Sequence, residues 1–274
     1  MSTPICIIRN KAFSFLPSFS EIFRYKDLLL FLILRDIKVR YVQSVLGIAW
    51  AIIQPVFSMF LFTFIFAKLA KIESDSIPYP LFSYTALIPW TYFSSTLGEA
   101  ANSLLSNAQM LGKVYFPRAI LPGAVVGAKL LDFLISLSLL GFLYAYYGLF
   151  PSWNLVYLPV MTLILITFTL GCSLWLSALC IQYRDIRYGL NFFLQLFQYL
   201  CPVVYPLSLL PKPLKNLSIL NPMAGIIEGF RACLCTAECP STKLILSSLV
   251  GSLLLFMSGS IYFSNKEKLF ADVV

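Results

Sequence analysis

The chain has no histidine among its 274 residues, and only 12% of them are charged. The missing imidazole excludes Ser/His and Cys/His nucleophilic pairs, acyl transfer with a histidine base, and histidine-ligated metal sites. Acidic residues are sparse, 12 in all, and form no spaced pair within one apolar run, so catalysis inside this polypeptide is not expected. A phosphate-binding loop is also absent: Gly112-Lys113 is followed by valine and lacks the earlier glycine. Any ATP chemistry therefore belongs to another chain, and no cofactor or metal is expected on this one.

What is abundant is apolar surface, at 59% of residues, in a chain with far fewer charges than the roughly one quarter usual in soluble domains. That is the composition of an integral membrane protein. With about 20 apolar residues needed per span, 274 residues suffice for one bundle of roughly six helices and leave no room for a second sizeable domain. The net charge of +8 comes from Lys and Arg at the edges of apolar runs, which reads as topology information and not as a nucleic-acid surface. Arg9, Lys11, Glu21, Arg24, Lys26 and Asp27 precede any sufficient apolar core, so no cleavable secretory signal is expected.

Six spans are predicted near 46–67, 81–103, 119–148, 155–180, 189–207 and 244–263, all helical because lipid offers backbone groups no partner. Residues 1–45 form a cytoplasmic arm and 46–274 a single transmembrane domain. Basic residues before the first span (Arg9, Lys11, Arg24, Lys26, Arg35, Lys38, Arg40) and in alternate loops (Lys113, Arg118, Arg184, Arg187, Lys266, Lys268) outnumber Lys68, Lys71, Lys212, Lys215, Arg231 and Lys243 opposite. Both termini are accordingly expected in the cytoplasm.

Three segments do not span. Residues 19–41 hold seven consecutive apolar residues, Leu28 to Leu34, between basic clusters, favouring an amphipathic helix in the headgroup region over an ordinary basic flank. Ser103 to Pro117 has Ser106 or Asn107 to cap a short helix, Gly112 to end it and Pro117 to forbid continuation, and reads equally as a docking knob or a connecting turn. Tyr205 to Lys243, broken by Pro206, Pro211, Pro213, Pro222 and Pro240, is more apolar than an ordinary external loop, which favours re-entry over 207–236.

Lys129 and Asp132, three apart in the third run, are expected to pair as a structural salt bridge ahead of an ion site, while Glu99 stands alone. Cys172, Cys180 and Cys201 read as packing residues; for Cys233, Cys235 and Cys239 an external disulfide is chemically easier than a metal site, and no special role is the further option. Aromatics within spans, including Trp50, Trp90, Tyr92, Phe93, Phe193 and Phe197, pack, anchor or line a conduit.

Arg35 with Arg40 and Tyr41, then Ser44, Leu46, Gly47, Trp50 and Pro55, resembles the opening signature of permease subunits of polysaccharide-exporting ABC transporters, the O-antigen, capsule and teichoic-acid group. Further matches are Ile88-Pro89-Trp90, Lys113 to Arg118 with Leu121-Pro122, Arg184-Asp185-Ile186-Arg187, Pro202 with Tyr205-Pro206, and Leu220 to Met223 leading to Glu228 to Arg231. The resemblance implies a six-helix, all-α inner-membrane permease that forms a homodimer, with two copies of a separate ATPase carrying ATP and Mg. It implies a substrate glycan on an undecaprenyl-diphosphate lipid, passed through a channel with aromatic belts, which raises the conduit reading for the six aromatics above. It also makes the segment after span two a coupling helix, with Ser106, Asn107, Gln109, Met110, Leu111 and Lys113 at the ATPase. Arg24, Lys26, Arg35, Lys38 and Arg40 would then attract the lipid pyrophosphate. The cysteine trio departs from the family pattern. The rival expectation is a self-sufficient ion-coupled transporter or channel using Lys129, Asp132 and Glu99, for which no internal duplication is evident.

Overall fold

The computed structural model describes residues 23–42, 47–71, 77–148, 153–235 and 242–267. Among them the regular structure is entirely helical. Four helical segments are long and apolar enough to cross a membrane: 49–69, 120–147, 153–182 and 242–266.

Helix α1 (Lys26–Val42) has Asp27 in its first turn and Arg40 in its last, each sign opposing the helix dipole. It docks on the bundle: Leu32 is fully buried, and Leu29 and Ile33 seat over Gly123 and Gly127, where a Cβ on Gly127 would lie 2.6 Å from Ile33 Cδ1. Leu30, Phe31 and Leu34 stay exposed on the other side. The segment that the apolar count assigned to the headgroup region is thus half clasped by protein.

Helix α2 (Ala49–Phe62) runs on as a π-helix to Leu69 and carries Pro55 inside it. It is the most exposed of the long segments, with Trp50, Ile53, Phe57, Phe60 and Phe64 all outward. Helix α3 (Tyr79–Ser106) is the opposite case, buried on nearly every side by the helices Ile120–Tyr147, Leu158–Gln182 and Pro222–Leu234. Its protein surroundings tolerate hydroxyls: Thr85, Thr96 and Ser103 are buried and donate to the carbonyls of Phe82, Tyr92 and Ala100 at 3.0, 2.5 and 2.7 Å. A helix surrounded by protein needs less apolarity than one facing lipid.

A single turn, α4 (Ala108–Leu111), follows, then α5 (Ile120–Tyr147), which ends at Gly148 in the left-handed region. A 3-10 turn (Trp153–Tyr157) leads into α6 (Leu158–Gln182), and extended Tyr183 separates it from α7 (Arg184–Leu200). The fifth apolar run therefore forms a helix earlier and shorter than 189–207, because Pro202 has no N–H to continue it and the chain turns at Cys201.

After a short 3-10 piece come α8 (Lys212–Ser218), exposed, and α9 (Pro222–Leu234), buried against α3, α6 and α10 (Thr242–Lys266). Asn221 caps α9 by accepting from Met223 N at 3.1 Å, with Pro222 at the first helical position. Buried Arg231 is accommodated by Glu228 at 2.7 Å, the Val203 carbonyl at 3.0 Å and the Phe82 ring at 3.7 Å. Helices α6 and α10 meet backbone to backbone: a Cβ on Gly259 would lie 2.5 Å from the Gly171 carbonyl oxygen. Trp175 stacks on Tyr262 beside that contact, with centroids 4.1 Å apart.

Candidate functional site

A cavity of about 520 Å³ opens between α2, α3, α5 and α7. Its wall is mixed in chemistry: Trp50, Tyr92 and Phe133 supply aromatic faces, Thr91, Ser94 and Ser95 hydroxyls, and Gln54, Asn191 and Gln195 amides. The amides of α7 are in helical register. Arg187, Asn191, Gln195 and Gln198 recur at intervals of four, four and three, drawing a polar stripe down a helix whose apolar residues Leu190 and Leu194 face the core.

Lys129 and Asp132 form one edge of the cavity and belong to an ion-pair network across three helices. Lys129 Nζ lies 2.6 Å from Glu99 Oε1 and 3.7 Å from Asp132 Oδ2. Arg40, from the end of α1, reaches Glu99 Oε2 at 2.5 Å and Asp132 Oδ2 at 2.9 Å, and the Tyr41 hydroxyl donates to Asp132. The expected Lys129–Asp132 pair is present, but the tighter partner of Lys129 is Glu99. Glu99 does not stand alone: the helix pairing brings two cations to it that lie distant in sequence.

The five basic residues named from the sequence differ in exposure and in partners. Arg24, Lys26 and Lys38 are exposed, Lys26 with its ammonium 5.9 Å from the Phe23 ring centroid. Arg35 bonds Asp36 at 2.8 Å and Asn107 Oδ1 at 3.0 Å, and Arg40 is held in the network. Helix α1 is thereby fastened to α3 at two points, one of them the elbow into α4.

At that elbow Ser106, Gln109 and Lys113 are exposed, as are Val114 and Tyr115, which the sequence reading did not include. Asn107 is half-buried and bonded to Arg35. Met110 and Leu111 pack against the cluster of Leu32, Leu104, Phe116 and Ile120. The exposed surface of the elbow is therefore polar, aromatic and aliphatic, and half-buried Met110 and Leu111 pack on the fold beside it.

The named aromatics divide into two groups. Trp50 and Tyr92 border the cavity. Trp90, Phe93, Phe197 and Phe193 form a continuous series of ring contacts, with Phe193 stacked on Phe197 at 5.8 Å and Phe93 on Phe168 at 5.1 Å. Trp90 and Phe93 are buried, whereas Phe193 is exposed. Gln54, Thr91, Ser94, Ser95, Asn191 and Gln195 escaped the sequence reading, although the spacing of Arg187, Asn191 and Gln195 carried a usable signal.

Cys233 and Cys235 are free thiols, and burial pushes Cys235 up to about 11, which makes it a poor nucleophile. Cys239 lies outside the described residues, among which no group of three metal-ligating side chains occurs.

A family model described as ABC-2 type transporter matches residues 27–235. The chain is 31% identical over 257 residues to an O-antigen export system permease protein RfbA of Myxococcus xanthus, covering 93% of this chain and 98% of that protein. It is 30% identical over 206 residues to an RfbA permease protein of Klebsiella pneumoniae, covering 75% and 79%. With the polysialic acid transport protein KpsM of Escherichia coli it shares 23% identity over 202 residues, covering 72% and 77%. The resemblance carried by Arg35 to Pro55 and the later motifs is borne out, and the chain belongs to the ABC-2 type transporter family.

Proposed function

We propose that this chain is the channel-forming permease of a bacterial inner-membrane exporter that moves a lipid-linked polysaccharide, with ATP hydrolysed on two copies of a separate subunit. The observation that carries the reading is the polar stripe of α7 beside the aromatic and amide-lined cavity. Amides and hydroxyls at membrane depth are costly against hydrocarbon, so such a face belongs to a wet conduit or to another protein. A cavity of about 520 Å³ lies in the size range of ligand pockets, roughly 300–1,000 Å³, and aromatic faces with amides suit sugar rings.

In this reading two copies pair to enclose the conduit, α3 and α7 complete six spans with both termini in the cytoplasm, and α8 with α9 re-enters the outer leaflet. Exposed Arg24, Lys26 and Lys38 attract an undecaprenyl diphosphate headgroup, each contributing about 1 kcal/mol at an anionic surface. ATPase closure pushes on the α4 elbow, and the attachments of Arg35 and Arg40 carry that motion into α1 and α5. The ion-coupled alternative draws no support from the network, since Glu99 and Asp132 are each held by cations.

The test is a paired substitution on the exposed elbow, Gln109→Glu with Lys113→Glu, in the full chain co-expressed with an ABC ATPase subunit that co-purifies with the unaltered chain. Association and export should be lost while the chain's melting temperature is unchanged. Intact co-purification with normal export would sink the coupling assignment.

A further inference from the structure

The charges of the cavity point to the kind of glycan it passes. Among the described residues its lining carries one cation, Lys129, and one anion, Asp132. Behind them Arg40 and Glu99 complete a network of two positive and two negative groups, every one of them paired within 4 Å. The rest of the wall is uncharged: hydroxyl, amide and aromatic groups with Ala51, Pro55 and Leu194. The next charge on the α7 stripe, Arg187, stands one turn before Asn191 and does not line the cavity.

Resting on the conduit reading above, we infer that the translocated chain is an uncharged glycan. An anionic sugar entering this space loses hydration and meets no net positive potential to replace it. Nor is a cation free in the network, because Lys129 and Arg40 each contact both Glu99 and Asp132. A neutral sugar asks only for a ring face and for donors and acceptors, which exposed Trp50 and the amides of Gln54, Asn191 and Gln195 supply.

The experiment measures tryptophan fluorescence of the purified full chain in lipid nanodiscs, titrated with maltoheptaose or with a sialic acid heptamer of matched length. The neutral oligosaccharide should quench with a half-saturation at least tenfold below that of the anionic one, and Trp50→Phe should remove the signal. Gln195→Lys, at an exposed position, should improve binding of the anionic heptamer at least tenfold. Equal or tighter binding of the anionic heptamer to the unaltered chain, or no response to Gln195→Lys, overturns the inference and leaves the conduit reading standing. Binding of neither oligosaccharide overturns both.

Discussion

Replacing Lys129 by methionine and Asp132 by asparagine, singly and together, tests whether the network behaves as one neutral unit. The Lys129 side chain is only 8% exposed, with carboxylate oxygens at 2.6 and 3.7 Å. At 3.7 Å and an effective dielectric of about 20, the Lys129–Asp132 attraction alone is roughly 4 kcal/mol before desolvation is subtracted. Lys129→Met leaves Glu99 and Asp132 sharing Arg40, a net charge of −1, whereas Asp132→Asn leaves a net +1. Stranding a buried charge typically costs about 3–5 kcal/mol, and the partial exposure of Glu99 lowers the expectation here to about 2–3 kcal/mol for each single change. The double variant is neutral again and keeps the 2.5 Å Arg40–Glu99 pair, so it should lose only about 3 kcal/mol in total, a coupling of roughly 2 kcal/mol. Equilibrium unfolding in mixed micelles measures all three variants. If the double loss equals the sum of the singles within about 0.5 kcal/mol, the network reasoning is refuted.

Arg231→Met should cost about 3 kcal/mol or more, since it strands Glu228 and removes the donor to the Val203 carbonyl; Arg231→Lys should be intermediate, keeping charge but not the fork. The same unfolding assay checks it, and a neutral Arg231→Met would mean that α9 is not pinned there. Gly171→Ala, whose Cβ would lie 2.7 Å from Phe256 N, should lose about 1–3 kcal/mol because the obstacle is backbone and cannot turn aside. Gly141→Ala, with open space around it, should be neutral or stabilising by up to about 1 kcal/mol, and similar losses at both sites would refute the close-packing argument.

How much of this was legible beforehand can be judged residue by residue. Lys129 and Asp132 were readable as a pair from their spacing, because three residues along a helix is a local distance. The partners Arg40 and Glu99 were not: they lie 92 and 33 positions from Asp132, and only the packing of α1 and α3 on α5 brings them within 3 Å of it or of Lys129. Met110 and Leu111 were placed at a docking surface by the family resemblance, the residues alone reading equally as a knob or a turn; in the fold both are half-buried and also pack on the chain's own cluster around Leu104 and Phe116. Arg231 helped make its segment look too charged to span fully; Glu228, three residues before it, is a local partner of the same kind, whereas the Val203 carbonyl and the Phe82 ring reach it only through the fold.

The sequence by itself determined the membrane setting, the helical class and the approximate boundaries of the long helices, because composition, run length and backbone demand in lipid are local or summed properties. The motifs from Arg35 to Arg231 carried the family. Tertiary structure alone decided which polar groups share a wall and which charges cancel. Asn191 and Gln195 acquire meaning only where α7 packs on α3 and shares a cavity with α2, and the neutrality of that cavity exists only once four ionic groups from three helices are brought within a few ångströms and each charge finds a partner of opposite sign.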